Sequence, residues 1–121
     1  MTKVRITVNN KTQLIANWEE NLNAKSLLAK MPFTITMSNF YGREMCHRFG
    51  AGSLPVKKST NQSYRIGDIS YWPPMGGLVI LYGQNSEVFE QVQIGHIEEN
   101  VQFFKDLSHA EILFEEMKEE R

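Results

Sequence analysis

The fold is decided by one stretch, IGDISYWPPMGGLVILYG at residues 66–83, which predicts two strands joined by a stiff loop. Residues 69–72 are a short run of β-branched and aromatic side chains, and residues 78–82 are an apolar run too short for a typical helix. Because the second run is apolar at consecutive positions, it is typical of a strand covered on both faces. We therefore expect this central hairpin, residues 69–82, in the middle of the domain.

The connection within the central hairpin is predicted to be a loop of five residues, 73–77. Pro73 and Pro74 fix φ and remove two backbone donors, so the first strand must end there. Gly76 and Gly77 readily adopt positive φ, which lets the chain turn back.

The composition is that of one globular domain spanning residues 1–121. Hydrophobic residues make up 41% of the chain and charged residues 22%, with a formal net charge of -1. A chain of this length buries enough surface to fold without disulfides. Lys and Arg number 13 against 14 Asp and Glu, so there is no basic excess to indicate a nucleic-acid partner.

The single cysteine, Cys46, cannot form an internal disulfide, which favours a reducing compartment. The opening residues, MTKVRITVNN, alternate charged and apolar side chains and lack the apolar core of a signal peptide. No apolar run approaches membrane-spanning length. We expect a cytoplasmic protein without membrane association.

Period-two alternation predicts four strands in the first half of the chain. Their inward faces would be Val4, Ile6 and Val8, then Leu14, Ala16 and Trp18, then Phe33, Ile35 and Met37, and last Met45, His47 and Phe49. The fourth strand, from Glu44 to about Phe49, would place Glu44, Cys46 and Arg48 on its opposite face.

Two short helices are predicted. Asn23 is a suitable N-cap for a helix at residues 24–30, and Pro32 would end that helix. A second helix would start near Asn100. Its apolar face comprises Val101, Phe104 and Leu107.

Polar and glycine-rich residues predict an irregular, exposed span at residues 50–64, which includes Lys57 and Lys58, and another loop at residues 84–91. Residues 92–97 predict a strand with a bulge at Gly95.

The last segment is ambiguous. Ser108 and Glu111 have the spacing of a capping box, and the helix formers that follow favour a helix. The alternation of Ala110, Ile112 and Phe114 favours a closing strand instead. A charged tail is expected from about residue 116 to residue 121.

These motifs, in this order, resemble the small single-domain cyclophilin-like proteins of bacteria and archaea. The similarity is strongest over residues 66–83, with their Gly-Asp, Tyr-Trp-Pro-Pro and aromatic-Gly elements, and it extends to the segments MPFTIT, YGREM and QIGHI. It covers nearly the whole chain. The resemblance implies a closed, mostly antiparallel β-barrel with two short helices, and it favours a strand for the last segment.

The resemblance also suggests peptidyl-prolyl isomerase activity. True cyclophilins carry an aromatic-His-Arg signature on a similar strand, where the Arg hydrogen-bonds near the prolyl amide. The nearest match here is Cys46-His47-Arg48, so His47 and Arg48 would be the catalytic residues of a weak isomerase. Cys46 replaces the aromatic residue, and ordinary surface or half-buried packing explains a His-Arg pair equally well.

Our leading hypothesis is a non-enzymatic domain that recognises a small molecule or an extended peptide in a groove beside the central hairpin. The candidate ligand-binding residues are Tyr41, Glu44, Arg48, Phe49, Tyr71, Trp72, Tyr82 and His96. The aromatic residues would form apolar walls, and Arg48 would donate to an anion or a carbonyl. The alternative is that these aromatic side chains simply belong to the core.

A third hypothesis is an oligomerisation or interaction module that uses the same apolar surface against another chain. We expect a monomer or a homodimer. No metal or cofactor site is expected. His47, His96 and His109 lack the close spacing of metal ligands, and Cys46 has no CxxC partner, which favours a buried, inert thiol.

Overall fold

The computed structural model describes residues 2–54, 60–84 and 88–118, and most of these lie in strands. The strands are β1 Thr2–Val8, β2 Thr12–Trp18, β3 Phe33–Phe40, β4 Glu44–Arg48, β5 Thr60–Gln62, β6 Asp68–Trp72, β7 Gly77–Leu81, β8 Phe89–Ile97 and β9 His109–Met117. The helices are α1 at Leu22–Ala29 and two 3₁₀ helices at Pro73–Met75 and Gln102–Asp106.

The sheet closes on itself as an antiparallel barrel, as predicted. Its hydrogen-bonded strands follow the order β2-β1-β9-β3-β4-β7-β6-β8, and a further pairing between β2 and β8 joins the two ends of the sheet. Trp18 lies opposite Gly95 at this junction, and Ala16 lies opposite Ile97. The short strand β5 pairs with β8. Closure leaves few exposed strand edges, which suits a small all-β domain without disulfides.

The central hairpin forms as predicted from β6 and β7, which pair from Ile69 opposite Ile80 to Trp72 opposite Gly77. The connection spans residues 73–76, one residue fewer than expected. Only Gly76 has a positive φ, of 61°. A Cβ at Gly76 would lie 1.9 Å from the carbonyl oxygen of Gly50, so the hairpin loop can pack this closely only without a side chain there.

Helices close the two ends of the barrel. Helix α1 leads into Phe33 at the start of β3, whereas the 3₁₀ helix Gln102–Asp106 leads into His109, which pairs with Ser38 near the end of β3. Trp18 Nε1 donates to the carbonyl of Ala24, at 2.9 Å, and so ties α1 to the barrel wall. Within the described ranges, no helix is long and apolar enough to cross a membrane.

The two predicted helices exist, with two corrections. The N-cap of α1 is Asn21, whose side chain accepts a hydrogen bond from Ala24 N, whereas Asn23 is buried inside the first turn. The second helix is 3₁₀ and not α-helical. The three-residue spacing of Val101 and Phe104 suits this tighter helix, because positions i and i+3 align along one side of it.

The ambiguous last segment is a strand, as the resemblance implied. Ala110, Ile112 and Phe114 on β9 are all buried in the barrel. The strand continues through Met117, with Glu116 paired opposite Val4. Residues 116 and 117, at the start of the expected charged tail, thus belong to this strand, and residues 119–121 lie outside the described residues.

Two segments predicted as loops contain strands. Residues 60–62 form β5, and β8 begins at Phe89, three residues before the predicted start at Val92. Thr60–Gln62 pairs with residues 89–91, so each segment supplies the partner that the other needs. The register shift between β6 and β8 next to Gly95 confirms the predicted bulge. Lys57 and Lys58 lie outside the described residues.

The apolar side chains form two layers, and β7 belongs to both. Leu78 and Ile80 point into the barrel interior, whose core also includes Trp18, Tyr71 and Phe114. The alternate residues of β7 lie on the outer face of the barrel. They form a second cluster with the following side chains: Val79, Leu81, Cys46 and Tyr64, flanked by Phe40 and Phe89. The expectation that this strand is covered on both faces is confirmed.

We predict that Gly95→Ala weakens the closure of the barrel. A Cβ at this position would lie 2.7 Å from the backbone oxygen of Asn17 and 3.1 Å from the Trp18 ring, so β2 and β8 must separate. The expected loss is about 2 kcal/mol in the free energy of unfolding, measured by urea denaturation. Gly77→Ala is the control, since its nearest contact would be an ordinary 3.6 Å to Cys46 Sγ. Equal stability of the two variants would contradict this account.

Candidate functional site

A cleft of about 270 Å³ opens on the outer face of the barrel, over the central hairpin. Its position follows from strand alternation: Ile69 and Tyr71 of β6 point into the core, so Ser70 and Trp72 point outward. The cleft is lined by Arg43, Glu44, Ser70, Trp72, Val79, Leu81, Phe89 and Gln91. Strands β4, β7, β6 and β8 thus each contribute to one site.

The charged residues of the cleft wall form a buried ion pair. Arg43 and Glu44 are 6% and 3% exposed, and Arg43 Nε donates to Glu44 Oε1 at 2.7 Å. A second guanidinium nitrogen contacts the same oxygen. The guanidinium also lies 4.5 Å from the ring centre of Phe89 and 5.2 Å from that of Tyr41, within cation–π range. The cation is therefore held in one place, and the cleft carries no net charge.

Ser70 places a hydroxyl in the wall of this cleft. The residue is 2% exposed, and its hydroxyl makes no hydrogen bond within the part of the chain that the structure describes. Every fully enclosed side-chain oxygen or nitrogen among the described residues does have a partner, so the Ser70 oxygen must border the open space of the cleft. A hydroxyl there can both donate and accept a hydrogen bond.

The barrel agrees with the comparisons with known proteins. The model of the Cyclophilin-like family matches residues 6–115. The chain belongs to the cyclophilin-like family. A hypothetical protein from Archaeoglobus fulgidus, known from a solution structure, has a similar fold at a TM-score of 0.69, with 15% sequence identity over 96% of this chain and 95% of that one. At this identity the likeness establishes the fold alone. No curated protein matches the chain.

In this cyclophilin-like domain, two of the predicted ligand-binding residues line the cleft, Glu44 and Trp72. Tyr41 lies on the β3–β4 turn and is 77% exposed, next to Arg43. Arg48 is exposed on the same face of β4 as Glu44, with its guanidinium 5.3 Å from the ring centre of Phe40. The structure thus brings Arg43, and not Arg48, to the cleft wall.

Three other predicted aromatic residues do not line this cleft. Tyr71 and Tyr82 are 0% and 2% exposed inside the barrel, and the Tyr82 hydroxyl donates to Asn39 Oδ1 at 2.5 Å. Phe49 packs against the core and lies 4.7 Å from the His47 ring. For these three the alternative reading, packing in or against the core, describes their position. Their ligand-binding role stays a prediction.

His96 is held by Asp68. Its Nδ1 lies 2.7 Å from Asp68 Oδ1, and the same carboxylate accepts hydrogen bonds from Gln93 Nε2 and from the backbone N–H of Arg65. Since Asp68 and His96 are also directly opposite each other in the β6–β8 register, this network stabilises the start of β6. The described residues hold no cluster of three or more His, Cys, Asp or Glu side chains suited to a metal ion.

His47 and Arg48 point to opposite faces of β4. His47 Nδ1 lies 2.9 Å from the carbonyl oxygen of Thr36, to which a protonated Nδ1 donates, and its ring faces Phe49. Arg48 lies over Phe40 on the outer face. The two side chains proposed for isomerase catalysis are therefore not assembled on one surface.

Sequence reasoning missed six of the residues that line the cleft, namely Arg43, Ser70, Val79, Leu81, Phe89 and Gln91. One signal was present for Ser70, since it lies two residues before Trp72 and so shares its strand face. The consecutive apolar residues of β7 also indicated a second covered face. No local signal placed Phe89 or Gln91 there, because both were assigned to a loop.

We predict that the Arg43–Glu44 pair is strongly coupled. Arg43→Met deprives a buried carboxylate of its adjacent cation and should lower the free energy of unfolding by about 3 kcal/mol. In the double variant Arg43→Met/Glu44→Gln the remaining group is neutral, so the loss should be smaller than the sum of the two single losses. A urea-denaturation double-mutant cycle measures this coupling, and simple additivity would argue against it.

Cys46 is predicted to be unreactive at neutral pH. Burial, and then the nearby Glu44 carboxylate, raise the pKa of its thiol to about 11. Iodoacetamide labelling of the folded protein should therefore be slow at pH 8 and rise toward pH 11, whereas the urea-unfolded chain should titrate near the ordinary thiol value. The unfolded thiol ionises first as pH rises, so stability is full below about pH 9 and falls between about pH 9 and 11. A labelling midpoint near 9 in the folded protein would refute this.

Proposed function

We propose that this cyclophilin-like chain is a cytoplasmic binding domain that holds one uncharged group in the cleft over the central hairpin. The group would belong to a small molecule or to one residue of an extended peptide. The observation that carries the proposal is the Ser70 hydroxyl, which borders the cleft without a hydrogen-bond partner among the described residues. A ligand that bonds to it would satisfy a polar group that is otherwise costly to bury.

The charge of the cleft favours an uncharged ligand. Arg43 and Glu44 already neutralise each other, so a charged ligand would have to compete with a pair that is in place before it binds. The apolar wall formed by Trp72, Val79 and Leu81 would in addition desolvate an ionic group without compensation. A ligand group that is apolar except for one hydrogen-bonding atom fits both the neutral ion pair and the apolar wall.

The size of the cleft limits what it can hold. The cleft is open to solvent, and its volume of about 270 Å³ includes part of that open space, so its walls enclose much less than the roughly 300–1,000 Å³ of a pocket for a drug-sized ligand. It therefore suits a single side chain with its amide, or a fragment of similar size. An isomerase that used His47 with Arg48 gains no support from the structure, because these side chains lie on opposite faces of β4.

The test is binding of N-acetyl amino-acid methylamides, followed by ¹H–¹⁵N chemical shifts. Uncharged, apolar members should shift the amides of Ser70, Trp72 and Leu81, and charged members should not. Ser70→Ala should raise the Kd about threefold to tenfold, the usual value of one neutral hydrogen bond. Ser26→Ala is the control, since that hydroxyl bonds within α1. If no member binds at millimolar concentration, or if Ser70→Ala binds as the wild type does, the proposal is wrong.

A second arm distinguishes the two sources of the ligand. A seven-residue peptide with the best residue at its centre is compared with the corresponding methylamide. A gain of tenfold or more in affinity indicates an extended peptide, because flanking residues then add contacts outside the cleft. Equal affinity indicates a small molecule.

A further inference from the structure

The chain contains two turns of the same backbone geometry with different side chains. Asn9 and Asn10 connect β1 to β2 with φ of 53° and 58°, and Tyr41 and Gly42 connect β3 to β4 with φ of 61° each. Each turn is closed by a backbone hydrogen bond between the residues that flank the pair, Lys11 N to Val8 O and Arg43 N to Phe40 O. The turns thus differ mainly in what occupies the left-handed positions.

Tyr41 is the unusual residue of the four. Asn and Gly tolerate the left-handed region, whereas an aromatic residue there is strained. Burial of the ring does not offset this strain, since Tyr41 is 77% exposed. This is the largest exposed fraction of any large hydrophobic residue among those described. Among the described residues the ring contacts the Arg43 guanidinium and, at 5.9 Å between ring centres, Phe40. An exposed aromatic ring kept at a strained backbone position is a candidate for a functional constraint.

Tyr41 lies beside the cleft. Its ring centre lies 5.2 Å from the guanidinium carbon of Arg43, which lines the cleft and faces Phe89 from 4.5 Å. The turn therefore holds an exposed aromatic ring at the rim of the cleft, beside the buried ion pair.

We propose that Tyr41 is a recognition residue, whose ring packs over the exposed side of the group bound in the cleft. This inference rests on the proposed function. It adds the Tyr41 ring as a determinant of ligand affinity, and the strained backbone of this residue lowers the folding stability of the free protein. Aromatic rings stack on other rings and on flat amides, so the effect should be largest for ligands with such a group.

The experiment is Tyr41→Asn, which restores the residue type found in the first turn. Its Tm should rise by about 3 to 6 °C, as relief of strain in a domain of this size implies. Its Kd for the tightest-binding member of the N-acetyl amino-acid methylamide panel should rise about fivefold to tenfold. Opposite effects on stability and on binding are not expected of a residue with a purely structural role.

Two further variants serve as controls. Tyr41→Phe keeps the ring and the strained backbone, so it should keep both the wild-type Tm and the wild-type affinity. Asn10→Tyr places an aromatic ring in a left-handed position of the other turn, so it should lower the Tm and leave the affinity unchanged.

The outcomes separate this inference from the function on which it rests. If Tyr41→Asn binds the methylamide as tightly as the wild type while Ser70→Ala binds it more weakly, the role of Tyr41 is overturned and the binding function stands. An unchanged or lower Tm for Tyr41→Asn also overturns the inference, because Tyr41 would then support the fold. If the wild type binds no methylamide, the proposed function fails as well.

Discussion

Strand β7 buries all of its residues, so the sheet needs a cover on both of its faces at this point. The interior face is covered by the barrel core. The outer face carries Val79 and Leu81, which would otherwise form an exposed apolar surface of the kind that promotes association. This face is covered by Phe40, Tyr64 and Phe89, which come from the end of β3, a loop and the extended start of β8. The second layer of the molecule exists because of this one strand.

The same cover produces the cleft. Aromatic side chains from several segments do not seal the outer face completely, and the gap is lined by apolar residues of β7 together with Ser70 and the Arg43–Glu44 pair. Polar groups in such a place lower stability unless they have partners or a function. Here the ion pair is internally satisfied, the Ser70 hydroxyl borders the opening, and a strained Tyr41 stands at the rim. The buried ion pair, the Ser70 hydroxyl and the strained Tyr41 are each unusual in a stable surface, and all three lie at the cleft.

Most of the barrel could be predicted because its strands alternate and its turns use residues with special backbone freedom. The inward faces of β1, β2, β3 and β9 follow directly from period-two patterns, and the Asn9-Asn10 turn follows from its residue types. The prediction was weaker where a segment has no pattern of its own. Thr60–Gln62 is polar throughout and is a strand only because residues 89–91 pair with it. Asn23 was a reasonable cap by type, but the path of the chain after β2 places Asn21 at the helix start.

The sequence by itself determined the strand faces, the central hairpin and the family to which the chain belongs, since each of these depends on residues close together in the chain. Apart from Glu44 and Trp72, only the tertiary structure decided which residues line the cleft. Arg48 shares a strand face with Glu44, and sequence reasoning therefore chose it as the cationic residue of the site. Arg43 takes that position because the β3–β4 turn directs it toward Phe89, more than 40 residues away along the chain. Contacts between such distant segments depend on barrel closure and register, which no local periodicity encodes.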